Sequence, residues 1–183
     1  MIDPSLINSI DLSEISRIIE TITENPKAAQ LRLGIKSQWR NSGHHAYICK
    51  IYQSSFYEDF EMAKLLYVNT RRPNMKLGRN EWSRPVKSVL ENMAISITTT
   101  LLIHAASRGI SLTKVGVIIE GELDMRGFLG LDDSIRSGYQ DIAVQLEIDG
   151  ALNQAQAKEL KYLARKSPLF DMLKYGLGNR IRI

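Results

Sequence analysis

The sequence holds a single cysteine, Cys49, in 183 residues. One thiol excludes an internal disulfide, a zinc site of four cysteines and any catalytic cycle that needs two thiols in one chain. It also argues against a disulfide-stapled secreted protein and for a reducing compartment. The opening residues, MIDPSLINSIDLSEIS, lack the basic start and apolar stretch of a signal peptide. Long hydrophobic runs are missing as well. The longest apolar-leaning run, 93–106, is broken by Ser96, three threonines and His104. It falls short of the roughly 20 apolar residues that span a bilayer. The expectation is a soluble, cytoplasmic protein with no membrane partner. There is no internal repeat and no low-complexity segment.

What is present suits a packed core. Hydrophobic residues make up 44% and charged residues 24%, which places the chain among folded domains rather than disordered ones. The length fits one domain, or one domain with an added arm.

The formal charge of +4 is unevenly spread. Residues 1–26 carry five acids and one base, and residues 27–90 twelve bases and four acids. Residues 91–149 carry nine acids and four bases, and residues 150–183 seven bases and two acids. The densest basic stretch lies within the loop 71–87 and holds Arg71, Arg72, Lys76, Arg79, Arg84 and Lys87 against Glu81. Such a loop attracts anions or nucleic acid. No nucleic-acid motif accompanies it, so a solvated loop facing acidic surface of the same chain is preferred. The acidic helix of 12–24 is one such surface.

Periodicity sets a coarse order of elements. Leu12, Ile15, Ile18, Ile19 and Ile22 fall at helical spacing, with Asp11 as N-cap and Asn25-Pro26 as stop. Leu31, Leu33 and Ile35 alternate with polar residues in a strand over 29–40. A turn at 41–43 leads to a second strand at 44–53, giving a hairpin. A third strand is predicted over 63–70, followed by a loop. A helix opens at Pro85 and runs to about Ser107, where Arg108-Gly109 ends it. Being apolar nearly all round from Met93, it reads as a buried central helix. Strands follow around Val115–Ile119 and Ile142–Ile148, joined by a long glycine-containing connection. A helix is predicted over 153–166, and Ser167-Pro168 starts a short helix that Gly176 closes. The tail GNRIRI reads as a last strand. This order is α+β.

The stretches ITTTLLIHAASRGISL, VIIEGELDMRGFLGLDDSIRSGYQDIAVQLEI and ARKSPLFDML resemble the OsmC/Ohr family of osmotically induced and organic-hydroperoxide-resistance proteins. The resemblance covers roughly residues 73–183 well, is fainter over 28–72 and is absent over 1–27. It implies an N-terminal helical extension, 1–27, and an OsmC-like domain, 28–183. It implies antiparallel-rich sheets wrapped around long central helices in an intertwined homodimer. The family reduces organic peroxides with two cysteines. The first precedes the pattern (L/I)TTTL on the central helix, and that position is Ser96. The second precedes a proline at the start of the late short helix, and that position is Ser167. Many members carry a glutamate two residues after a proline. Here Pro85 matches the proline and Lys87 replaces the glutamate.

These departures remove the reaction rather than tune it. A thiolate attacks the peroxide O–O bond and becomes a sulfenic acid, which a second thiol resolves. A serine hydroxyl stays protonated near neutral pH and does not pass through those oxidation states. Ser167 before Pro168 also has an ordinary structural role as N-cap. Ser96 is small enough to bond back to a carbonyl one turn earlier, as are Thr98 to Thr100. Together Ser96, Ser167 and Lys87 mark a binding site for a small apolar ligand in an interfacial pocket, with no cofactor.

Two other readings stay open. One gives Cys49, or the serines, a different enzyme chemistry, although alternation puts Cys49 with Tyr47 and Ile51 as a buried hydrophobe. The other makes the basic loop 71–87 a binder of an anion or nucleic acid. A metal site is not expected. His44 and His45 point to opposite faces of a strand, and His104 has Thr100 and Arg108 at four residues' distance. Ser96 and His104 are eight residues apart on one helix, about 12 Å, too far for a hydrolase pair.

Overall fold

The computed structural model describes residues 6–7, 10–41, 50–53 and 84–176. Within them the chain runs β1 (Leu6–Ile7), β2 (Ile10–Asp11), α1 (Leu12–Glu24), β3 (Gln30–Arg40), β4 (Lys50–Gln53), α2 (Arg84–Ala106), β5 (Leu112–Asp124), α3 (Met125–Phe128), β6 (Tyr139–Gly150), α4 (Gln154–Leu163) and α5 (Pro168–Tyr175). The class is α+β, as the sequence order indicates. Strands β4-β3-β5-β6 form one sheet in that order, and β1 and β2 pair antiparallel. Contacts fix the direction of the longer pairs. Asn41 N–H at the end of β3 bonds to Thr113 O at the start of β5 at 3.1 Å, so the two run antiparallel. Lys114 reaches Glu147 at 2.9 Å, which sets β5 and β6 antiparallel too.

The chain divides into two compact units, residues 1–33, 53–88 and 121–141 in the first and residues 34–52, 89–120 and 142–183 in the second. The first is built on α1. Its helix ends where Asn25 and Pro26 interrupt the periodicity, and a 3-10 turn, Pro26–Ala29, leads directly into β3. Ile18 and Ile22 of α1 bury themselves with Ala29 and Met125, and Ala28, Leu31 and Leu129 pack around them. That stripe is narrow. Leu12 remains exposed and Ile15 and Ile19 are half-buried, so the helix rests on two side chains rather than five.

In the second unit Ile35, Ser37 and Trp39 of β3 are buried at the alternate positions a sheet face requires. Val115, Val117 and Ile119 of β5 are fully buried. From α2, Leu90, Met93, Ala94, Ile97, Leu101 and Ala105 enter the core at three- and four-residue spacing. The helix is not buried all round, contrary to its composition. Val89, Ile95 and Ile103 lie exposed, Ile103 at 62%. By length and composition alone Val86–Ala106 is long and apolar enough to cross a membrane, and 39% of that stretch is buried inside the protein.

Two details differ from the sequence expectations. The glycine-containing connection after β5 starts with a one-turn helix, α3, where no element is predicted. The helix predicted over 153–166 is α-helical only to Leu163 and tightens to 3-10 geometry over Ala164–Lys166. Pro168 disfavours helical backbone at the residue before it, and Ser167 takes an extended conformation. The predicted strands at 63–70 and 178–183 lie outside the described residues, as does most of the strand predicted at 44–53.

Candidate functional site

Ser96 and Ser167 come together in the second unit. The middle of α2 carries Ser96 and the first position before α5 carries Ser167, and their Oγ atoms stand 2.8 Å apart across 71 residues of sequence. Local chemistry places each of them. Ser167 is the N-cap of α5, with its Oγ accepting the N–H of Phe170 at 3.4 Å and its carbonyl accepting the N–H of Asp171 at 2.9 Å. Pro168 follows at the position where its missing N–H costs nothing. The 3-10 turn ahead of it is closed by the Ser167 N–H bonding to Ala164 O. Ser167 is fully buried, whereas Ser96 is partly exposed.

The threonines beside Ser96 behave as ordinary helical threonines. Thr98 Oγ1 donates to Ala94 O at 2.9 Å and Thr100 Oγ1 to Ser96 O at 2.8 Å. Ser96 was expected to do the same, but its Oγ instead stands at hydrogen-bond distance from Ser167 Oγ, and either hydroxyl can be the donor.

Lys87 stands in the first turn of α2, nine residues or about two and a half turns before Ser96. It belongs to the first unit and is half-buried there. Cys49, His44, His45 and the basic residues of the loop up to position 83 lie outside the described residues. His104 sits near the end of α2 with Arg108 Nη1 3.5 Å from its Nδ1, and Arg108 pairs with Glu159 at 2.8 Å. Among the described residues no group of three His, Cys, Asp or Glu side chains is placed to hold a metal ion.

The connection from Asp124 to Gln140, in the first unit, carries structure that the sequence reading did not assign. Asp124 is almost fully buried at the end of β5 and caps α3 by accepting the Arg126 N–H at 3.0 Å. It also takes a two-pronged contact from the Arg126 guanidinium, Nε at 3.0 Å and Nη2 at 2.6 Å. Those bonds, the guanidinium ones foremost, hold its carboxyl below the ordinary carboxylate range. A Cβ on Gly127 would stand 2.5 Å from the carbonyl oxygens of both Ile135 and Arg136, so only glycine lets the loop close over itself. The loop returns through Ser137, whose Oγ donates to Gly127 O at 3.2 Å. Tyr139 donates its hydroxyl to Val86 O in the first turn of α2 at 3.0 Å, and burial pushes its phenol well above the usual range. The D-x-R-G spacing was the available signal. An acidic cap two residues before an arginine favours a one-turn helix locked by its own side chains.

No family model matches the chain, and a search of curated proteins finds no relative. Among solved structures the chain is similar to the crystal structure of an OsmC-like protein from Mycoplasma pneumoniae. That similarity is at 14% identity, covers 76% of this chain and 85% of that one, and has a TM-score of 0.43.

Proposed function

We propose that this chain is an OsmC-like protein that does not carry out the two-cysteine peroxidase reaction, and that it serves as a homodimeric small-molecule-binding or structural protein of the cytoplasm. The single observation that carries the reading is the contact of Ser96 Oγ with Ser167 Oγ at 2.8 Å. The resemblance assigns these two residues to the positions of the family's two sulfurs. Their meeting across 71 residues is what that assignment requires, and both atoms are oxygen. Neither can form a sulfenic acid or a disulfide. The apolar residues that α2 leaves exposed, Val89, Ile95 and Ile103, support a second copy as the partner that covers them.

A thiol-dependent assay on cumene hydroperoxide tests the reading. The expected result is no turnover above that of free thiol. Robust turnover that survives Cys49→Ser would sink the claim that the reaction needs sulfur at positions 96 and 167. The double variant S96C/S167C supplies the complementary arm. With the two oxygens already in contact, the replacing sulfurs should close a disulfide of about 2.05 Å under mild oxidation. A cross-linked peptide in mass spectrometry reads this out.

A further inference from the structure

Independently of what Ser96 and Ser167 do, we infer that α4 and α5 form a docking surface for an anionic lipid bilayer, where bases meet the headgroups and apolar side chains enter the interface. The buried side of α4 is Leu160, with Ala164 of the following 3-10 turn beside it. Lys158, Lys161, Tyr162 and Arg165 recur at three- and four-residue spacing, and at about 100° per residue they fall on the side opposite Leu160. All four are exposed, Tyr162 at 59%. Lys166 in the turn and Lys174 on α5 are exposed bases too. Among the described residues, Lys158, Lys161, Arg165, Lys166 and Lys174 make no ion pair. The acids of the two helices do not offset them. Glu159 is held by Arg108 at 2.8 Å, which leaves Asp171 against five bases. That excess is the electrostatic footprint of a negatively charged partner.

The helix α5 indicates which partner. Leu169, Phe170, Met172, Leu173 and Tyr175 make up most of it, yet none of its residues is buried. Met172, Leu173 and Tyr175 are exposed, Tyr175 at 70%. Lys174 stands among them, its Nζ 5.2 Å from the Tyr175 ring centroid and 5.9 Å from that of Phe170. Base and apolar groups are therefore presented together. Nucleic acid offers the tyrosines bases to stack on but gives Met172 and Leu173 little apolar surface. A bilayer interface suits all of these groups. Bases attract anionic headgroups, tyrosine rings sit at headgroup level, and aliphatic side chains enter the acyl boundary. The sequence expectation of no membrane partner rests on missing hydrophobic runs, which bear on spanning a bilayer and not on lying against one.

Vesicle co-sedimentation of the full-length chain tests this. Vesicles of phosphatidylcholine with about 30% phosphatidylserine should carry the protein down, and vesicles of phosphatidylcholine alone should not. Lys158→Gln combined with Lys161→Gln should weaken the binding by about thirtyfold, since each base near an anionic surface is worth about fivefold. Met172→Ser combined with Leu173→Ser should weaken it by about tenfold or more with every base in place. All four positions are exposed, so both double variants should keep the wild-type Tm. No binding by the wild type overturns the assignment, and so does binding that survives the loss of both lysines. Wild-type affinity in the variant lacking Met172 and Leu173 overturns it as well. Binding of single-stranded RNA that is lost with the two lysines would then identify nucleic acid as the partner.

Discussion

The loop from Asp124 to Gln140 and the buried hydroxyls of the second unit satisfy their polar groups in opposite ways. Apart from Ser137 and Tyr139, which bond to Gly127 and Val86, the loop does it locally. Asp124 with Arg126, Asp132 with Ser134, and Gln140 with the Arg136 and Gly138 carbonyls all bond within four residues. Among the described residues the second unit has three buried hydroxyl residues with three different outcomes. Thr98 bonds within its own helix, Ser167 reaches a residue 71 positions away, and Ser37 Oγ has no partner among the described residues. Local satisfaction makes a rigid element whatever surrounds it. Long-range satisfaction depends on the packing, and where the packing offers nothing a buried group is stranded.

The largest expected effect breaks the loop side of this contrast. Gly127→Ala places a methyl 2.5 Å from two backbone oxygens, which no side-chain movement relieves. It should lower stability by about 3 kcal/mol, read by denaturant unfolding, because overpacking against backbone forces a shift of the whole turn. A change below about 0.5 kcal/mol would mean the loop is not closed as described.

Asp124→Asn sharpens the same side. Removing the charge should cost about 2 kcal/mol at neutral pH, since charge-assisted bonds are the strong ones. The dependence on pH has a definite sign. The folded Asp124 carboxyl lies below its ordinary value of 3.8. Its contribution is therefore present above that value and is lost as pH falls through the lower folded value. The gap between wild type and Asp124→Asn should close in acid and stay constant from pH 5 to 7. A gap that widens in acid contradicts the assignment.

The smallest effect has the opposite sign. Ser37→Ala removes a hydroxyl that is 1% exposed and has no partner among the described residues. It should raise stability by up to about 1 kcal/mol, seen as a higher Tm, because nothing is lost with the oxygen. A fall in stability would show that Ser37 has a partner after all and would remove one leg of the comparison.

Much of the fold was legible where the signals were local. Asn25-Pro26 ends α1, alternation sets β3, and Ser167-Pro168 opens α5 at the residue expected. The misses share a physical cause. The exposed face of α2 carries the same apolar residues as its buried face, so composition gives no cue to which side the chain covers. The helix α3 is four residues long, too short for periodicity to register. Ser96 departs from the expectation of back-bonding because its side chain meets a residue 71 positions away. The resemblance singled out both serines, but no spacing in the sequence says that they touch.

By itself the sequence determined that there is one thiol, that Ser96 and Ser167 are oxygen where the OsmC/Ohr resemblance puts sulfur, and that each sits at a helical position suited to serine. Those are facts of composition and local propensity, and they hold whatever the chain folds into. Only the tertiary structure decided that the two hydroxyls meet and which of them is buried. A contact across 71 residues depends on how the helices pack, and a linear sequence does not specify that packing.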